Sequence, residues 1–238
     1  ALGNAFDGVD AVVHLAGLVS TSEDRAYIAV NVEGTRAVAE AARAAGARMI
    51  HVSSLAAAGP APASRPRVEH DPPAPVTPYG RSKLESERIV SSLAGLDWMI
   101  LRPGVVYGPG DRAMLPLFRL AKLGLLPLVG RGDAAYTVVH VNDVVRAIEA
   151  ALPPAGGRDT LFVGHPHPAT AREIVTAVRT AVGRPAFIVP IPMALAGMAA
   201  PVCDAVGRIV GHPLALNRAR YAELVAEEIQ VPVAVSVA

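Results

Sequence analysis

Tyr79-Gly80-Arg81-Ser82-Lys83 opens an amphipathic helical stretch, and Ile50-His51-Val52-Ser53-Ser54 precedes it, an apolar run whose Ser54 lies 25 residues before the tyrosine. A four-residue step puts the phenol and the ammonium on one helical face, one turn apart. A free tyrosine ionises near pH ~10 and a lysine near ~10.4. A cation held beside the phenol favours the phenolate and lowers that value. The result is a proton acceptor usable near neutral pH, which oxidation of an alcohol requires. A serine hydroxyl across the gap would hold the substrate oxygen. Taken alone, Tyr-x-x-x-Lys is a common pattern on solvated helix faces, so its surroundings decide what it means.

Outward from this unit, short apolar runs alternate with helical patterns. The spacing predicts strands at 11–16, 48–53, 97–101, 136–139, 159–163 and 186–189. It predicts helices near 24–45, 77–94, 112–123, 142–152, 170–182, 193–210 and 215–227. Such alternation indicates an α/β fold, a parallel sheet with helices on both faces. In these sheets ligands bind beyond the carboxyl ends of the strands, where Gly17, Ser53, Ser54 and Pro103 fall. The loop from Ala56 to Thr77, rich in Ala and Pro and carrying Glu69 and Asp71, suits a rim over the site. The expected division is a core over 1–155 holding the catalytic residues, and a smaller substrate lobe over 156–238, partly interleaved with it.

The chain has 238 residues, is 52% hydrophobic and only 18% charged, and can bury a large core. Its net charge of +1 and scattered basic residues give no nucleic-acid footprint. The single cysteine, Cys203, excludes an internal disulfide and fits a reducing compartment, so a cytoplasmic protein is expected. Ala186 to Val202 is almost wholly apolar, but Pro190, Pro192 and Pro201 interrupt it and it falls short of a span of ~20 residues. It reads as a strand and a docked helix, with peripheral membrane contact as the alternative. His14 and His51 lie within strands and read as core. His165 and His167 lack a neighbouring Cys or carboxylate cluster, so no metal site is expected. Arg102 is expected to pair with a carboxylate, and Asp143 to be the N-cap or a first-turn acid of a helix.

Further segments complete the picture: Val12-Val13-His14-Leu15-Ala16-Gly17, Asn31-Val32-Glu33-Gly34-Thr35, Leu101-Arg102-Pro103-Gly104-Val105-Val106-Tyr107-Gly108 and Val138-Val139-His140-Val141-Asn142-Asp143. In order and content they resemble the extended short-chain dehydrogenase/reductase family, which holds NAD-dependent epimerases, dehydratases and 3β-hydroxysteroid dehydrogenases. The resemblance covers roughly residues 8 to 225.

That resemblance implies a Rossmann-like doubly wound sheet, an NAD or NADP cofactor and a small-molecule substrate. It implies Tyr79 as general acid/base, with Lys83 lowering its pKa and holding the cofactor ribose. The family pattern Ser-x-x-x-x-Gly, read through Gly59, assigns the substrate oxygen to Ser54 and leaves Ser53 as a backbone contact to the cofactor. Asn31 matches the asparagine that braces the small-residue loop. Leu15, Ala16 and Gly17 would line the adenine side, and Pro103 to Val106 the nicotinamide. Dehydratases usually carry an acidic pair after the active-site hydroxyl, and Leu55-Ala56-Ala57-Ala58 has none. The family's opening strand, Gly-rich turn and helix do not precede Val12, so about 60 residues of βαβαβ are expected to be missing, by typical unit lengths. Strand 11–16 would then be an unpaired apolar edge that favours self-association, as in a homodimer. Gly130-Arg131-Gly132-Asp133-Ala134-Ala135 matches G-x-G-x-x-A, but a strand follows it where a helix is needed, so it reads as a turn. Two functional readings stay open: hydride transfer at a secondary alcohol or ketone, of a sugar nucleotide or of an apolar, steroid-like substrate, and a non-catalytic binding or scaffold module or inactive fragment that lost the cofactor phosphate loop.

Overall fold

The computed structural model describes residues 3–21, 23–61, 65–153 and 157–210, together with Tyr221 and Val225. The expected helix at 215–227 lies almost wholly outside them. After a 3-10 turn, Gly3–Phe6, come β1 (Ala11–His14), α1 (Asp24–Tyr27), a π-helical turn (Ile28–Glu33), α2 (Gly34–Ala45) and β2 (Arg48–Val52). Next are α3 (Leu55–Ala58), α4 (Pro78–Ser92), β3 (Trp98–Pro103), β4 (Val105–Tyr107), α5 (Leu115–Lys122) and β5 (Leu125–Val129). The rest is β6 (Ala135–Tyr136), β7 (Val138–His140), α6 (Val141–Ala151), β8 (Asp159–Val163), β9 (Ala169–Thr170), α7 (Ala171–Val182), β10 (Phe187–Ile191) and α8 (Met193–Val210).

Four parallel strands form the main sheet in the order β1-β2-β3-β8, with β1 at its edge as expected. Side chains alternate across a strand, so neighbouring residues enter different cores. Met49 and Ile100 pack under α2 and α4 with Ala39, Ala42 and Val90, while Ile50, Met99 and Leu101 pack on the opposite face with Ala147, Ile148 and Ala151 of α6. Each fully buried Leu or Ile in these layers contributes roughly 1.5–3 kcal/mol. A separate core joins Leu126 and Leu128 of β5 to Ala121, Val175, Val178 and Ala186. There β5 pairs in parallel with β10. Because β8 returns to the main sheet between β5 and β10, the two cores interleave along the chain.

Several elements differ from the spacing argument. The first strand stops at His14, and Leu15 and Ala16 run on as exposed irregular chain. Helix 24–45 contains the π turn. The stretch 136–139 splits into β6 and β7, because the Thr137 carbonyl is taken by Val105 N–H at 2.8 Å. The expected helix at 112–123 begins only at Leu115, after Asp111 has accepted from the N–H groups of Ala113 and Met114. The run after Ser54 forms α3 instead of loop. Gly130–Ala135 is a turn leading into β6, with Gly130 at φ +71°.

Beneath the carboxyl ends of β1 and β2, the rings of His14 and His51 stack 5.4 Å apart. Thr35 Oγ1 donates to Asn31 O and Ser86 Oγ donates to Lys83 O, so each hydroxyl accepts from a histidine Nε2–H, at 3.0 Å in both cases. Each neutral ring therefore carries its proton on Nε2. Burial pushes His14 down to about 4, helped by the Lys83 charge, and burial pushes His51 well below 6.5 for the same two reasons and the proximity of His14.

This packing can be tested at two positions. A Cβ on Gly80 would lie 2.3 Å from the Ala56 carbonyl oxygen. Gly80→Ala is expected to cost about 1–3 kcal/mol, read as a fall in Tm, and an unchanged Tm contradicts the close approach. The folded pKa of His14 lies below its unfolded value, so the unfolded chain takes up its proton first. Stability is therefore full above pH 6.5 and lost as pH falls towards 4. Between pH 6.5 and 4.5 this amounts to about 2 kcal/mol, or roughly 4–8 °C in Tm, and His14→Asn should flatten that slope in calorimetry.

Candidate active site

Thr77 caps α4, its Oγ1 accepting from Gly80 N–H at 2.9 Å, and Pro78 occupies the first helical position. Tyr79 therefore stands in the first turn, where the helix dipole favours an anion. One turn later, Lys83 is buried, and its Nζ donates to the Val52 carbonyl at 2.8 Å, at the last residue of β2. Burial pushes the ammonium down to about 8, and the Glu87 carboxylate one turn further on partly opposes this. A lysine so placed carries its charge at neutral pH but gives it up far more readily than a solvated one.

Asn31 ties the parts together from within the π turn, a feature often found at functional sites. Its Oδ1 accepts from Leu18 N–H at 2.7 Å, and its Nδ2 donates to Leu18 O at 3.0 Å and to Ser82 Oγ at 2.9 Å. Ser82 Oγ in turn donates to Tyr79 O at 2.7 Å. One carboxamide thus fixes both the loop after β1 and the turn that carries Tyr79. Tyr27 adds a second brace: its hydroxyl donates to Val19 O at 3.2 Å, and its ring lies 6.2 Å from that of Tyr79, tilted by 50°. Gly17 sits directly above this junction. A Cβ there would be 3.1 Å from Asn31 Oδ1 and 4.0 Å from Lys83 Nζ.

Ser54 leaves β2 in extended conformation and caps α3, its Oγ accepting from Ala56 N–H at 3.1 Å. The α3 turn is pressed onto α4 at Gly80, and its end is pressed onto the next segment at Gly59. Gly59 has φ +81°, and a Cβ on it would overlap the Ala74 carbonyl oxygen at 2.0 Å. The hydroxyl of Ser54 and the start of α4 are therefore held in one rigid corner. Ser53 points elsewhere. Its hydroxyl donates to Glu87, its N–H to Leu101 O at 2.7 Å, and Glu87 also pairs with Arg102 at 2.6 Å inside the core. Any contact of Ser53 with a cofactor falls to its carbonyl.

Leu15 and Ala16 are exposed on the loop after β1, Pro103 ends β3 as a buried residue, and Val106 is exposed on β4. They border the carboxyl end of the sheet. The hydrogen-bonded cluster itself consists of Leu18, Asn31, Ser82 and the Tyr79 carbonyl, and Lys83 is held separately by Val52 O. Sequence reasoning passed over Gly80 and Ser82 as spacers within the Tyr-x-x-x-Lys unit. Gly80 abuts α3, and Ser82, three residues after Tyr79, lies one turn along the same face. Tyr27 carried no periodic signal.

The sequence matches the model of the NAD dependent epimerase/dehydratase family over residues 1–163. Ceramide reductase of Caulobacter vibrioides is 36% identical over 151 residues, which are 63% of this chain and 43% of that protein. UDP-glucose 4-epimerase of Mycolicibacterium smegmatis is 35% identical over 191 residues, 74% of this chain and 61% of that protein. The structure of Thermus thermophilus UDP-glucose 4-epimerase in complex with NAD superimposes with a TM-score of 0.70 at 27% identity, over 77% of this chain and 65% of that one. The chain spans about half the length of the curated relatives it matches. A parallel α/β sheet, a Tyr79–Lys83 helix turn at its carboxyl edge and this family match together establish that the chain belongs to the NAD dependent epimerase/dehydratase family.

Proposed function

We propose that this chain carries the proton-transfer site of an NAD(P)-dependent oxidoreductase or epimerase acting at a secondary alcohol or ketone. The observation that carries the reading is the buried Lys83 ammonium, fixed to Val52 O one helical turn from Tyr79 and roofed by Gly17. An ammonium has three donors, and Val52 takes one. The other two are available to a ribose diol, and the missing side chain at Gly17 leaves room for close approach. The residues present therefore fit the nicotinamide-ribose half of the cofactor. When bound, the nicotinamide exchanges a hydride with the carbinol carbon.

Tyr79 takes the hydroxyl proton of the substrate in oxidation and returns it in reduction. The Lys83 cation and the amino end of α4 stabilise the phenolate that does this. Ser54, at the end of β2, holds the substrate oxygen. Asn31 is a positioning residue, since it acts through Leu18 and Ser82. For the substrate we favour an apolar alcohol or ketone over a sugar nucleotide. The run after Ser54 offers Leu55 and three alanines, with Ala57 and Ala58 buried, and no acid for an elimination step.

Titration with NADH is expected to give saturable nicotinamide fluorescence in the micromolar range. No binding at millimolar cofactor overturns the reading in favour of a scaffold module. In enzyme assays Tyr79→Phe should lower kcat by about 10²–10⁴-fold and leave cofactor affinity nearly unchanged; retained turnover removes Tyr79 from the role. The pH profile adds an independent check. Lys83 loses its charge as pH rises through about 8, so oxidation should decline above that pH even though phenols ionise more readily there. Stability should move the other way. The folded pKa lies below the unfolded 10.5, so between the two values the unfolded chain holds more protons and the Lys83 contribution to stability rises with pH. An activity limb near pH 8 without a matching fall in Tm is the expected result.

A further inference from the structure

We propose that the end of the second lobe formed by the α5–β5 turn and the α7–β10 turn docks onto a bilayer surface containing anionic lipid. Helix carboxyl ends and strand amino ends meet there, so it is the end opposite Val129 and Ile191. Leu123 is 78% exposed, Phe187 77% and Leu125 50%. They are contiguous: Phe187 is the register partner of Leu125, and its N–H donates to Gly124 O at 2.9 Å. A lone exposed apolar residue is ordinary, but an aromatic and two leucines gathered at one tip are not.

Charge identifies the partner. The segments 115–125 and 176–187 contain Arg119, Lys122, Arg179 and Arg184 and no acidic residue, in a chain whose net charge is only +1. Among the described residues none of the four forms an ion pair. The helix dipoles account for cations in the last turns of α5 and α7. They do not account for Arg184, which lies beyond the Gly183 cap, or for the exposed Phe187. Arg179, Arg184 and Phe187 line one open groove of about 550 Å³, so two cationic residues and an aromatic one share a single surface. That is the chemistry of a phosphate headgroup above and an acyl boundary below, where aromatic rings also settle. Each cation near an anionic leaflet is worth about fivefold in partitioning.

Cosedimentation of the chain with phosphatidylcholine vesicles, with and without about 30% phosphatidylglycerol, tests this. Partitioning should be at least ~10-fold stronger on the anionic vesicles and should fall at high salt. Lys122→Glu/Arg184→Glu should reduce it by ~100-fold or more. Leu123→Ser/Phe187→Ser should abolish insertion while leaving Tm and NADH binding unchanged, because these side chains are exposed and remote from Tyr79 and Lys83. Equal binding to neutral vesicles, no binding, or binding indifferent to these substitutions overturns the proposal. So does a concentration-dependent dimer that Leu123→Ser/Phe187→Ser dissociates in the absence of lipid, which would assign the tip to a second copy of the chain.

Discussion

The arrangement depends on a cation kept where water is scarce. Lys83 is buried, and an isolated ammonium in such a place would be strongly disfavoured. The structure meets that cost with a backbone carbonyl at the end of β2 and a carboxylate one turn away. Both supports follow from sequence position: Val52 closes a strand whose next residues turn outward, and Glu87 is four residues after Lys83 on the same helix. The residual effect is a lysine whose ammonium is pushed down to about 8, one helical turn from Tyr79.

Glu87 serves a second purpose. It accepts from Ser53 and is paired with Arg102, both buried. Breaking such a pair from one side leaves an uncompensated charge and costs roughly 3–5 kcal/mol. Lys83, Glu87, Arg102 and Ser53 thus form a continuous polar seam from the site into the sheet, linking α4 to β2 and β3. The neutral histidines lie along the same seam. Among the described residues His51 Nδ1 is buried without a hydrogen-bond partner. Two more positive charges beside Lys83 would be costlier, and burial keeps the rings uncharged.

Much of this was legible in the sequence. Strand cores announced themselves as short apolar runs, and Arg102 found its carboxylate as expected. Asn31 braces the loop after β1 as the family motif implied. What stayed hidden was set by tertiary contact. Gly80 carries no periodicity, and Gly59 entered only as part of the Ser54 pattern, yet both are required because backbone carbonyls fill the space a side chain would need. The π turn has the composition of ordinary helix and is visible only through what Asn31 reaches. β10 was read as the strand 186–189, short of Pro190, whereas β5, with Pro127 at its centre, was not read at all. Each proline nonetheless sits in a two-stranded edge arrangement, where a missing N–H is tolerated.

Interleaving of the two cores bears on how a substrate would be held. The chain leaves the main sheet after β3, builds α5 and β5, returns to place β8 beside β3, and leaves again for α7 and β10. Gly104 marks the first exit: its N–H donates to Val163 O at 2.9 Å, and a Cβ on it would lie 2.2 Å from the Thr137 carbonyl oxygen. The strand that delivers Pro103 to the carboxyl edge is therefore pinned at its end by both β8 and the residue before β7. Glu69 adds a further tie, accepting from Phe162 N–H at 3.3 Å and anchoring the segment after α3 to β8. The corner holding Ser54 and Tyr79 is thus joined to the strand that closes the sheet.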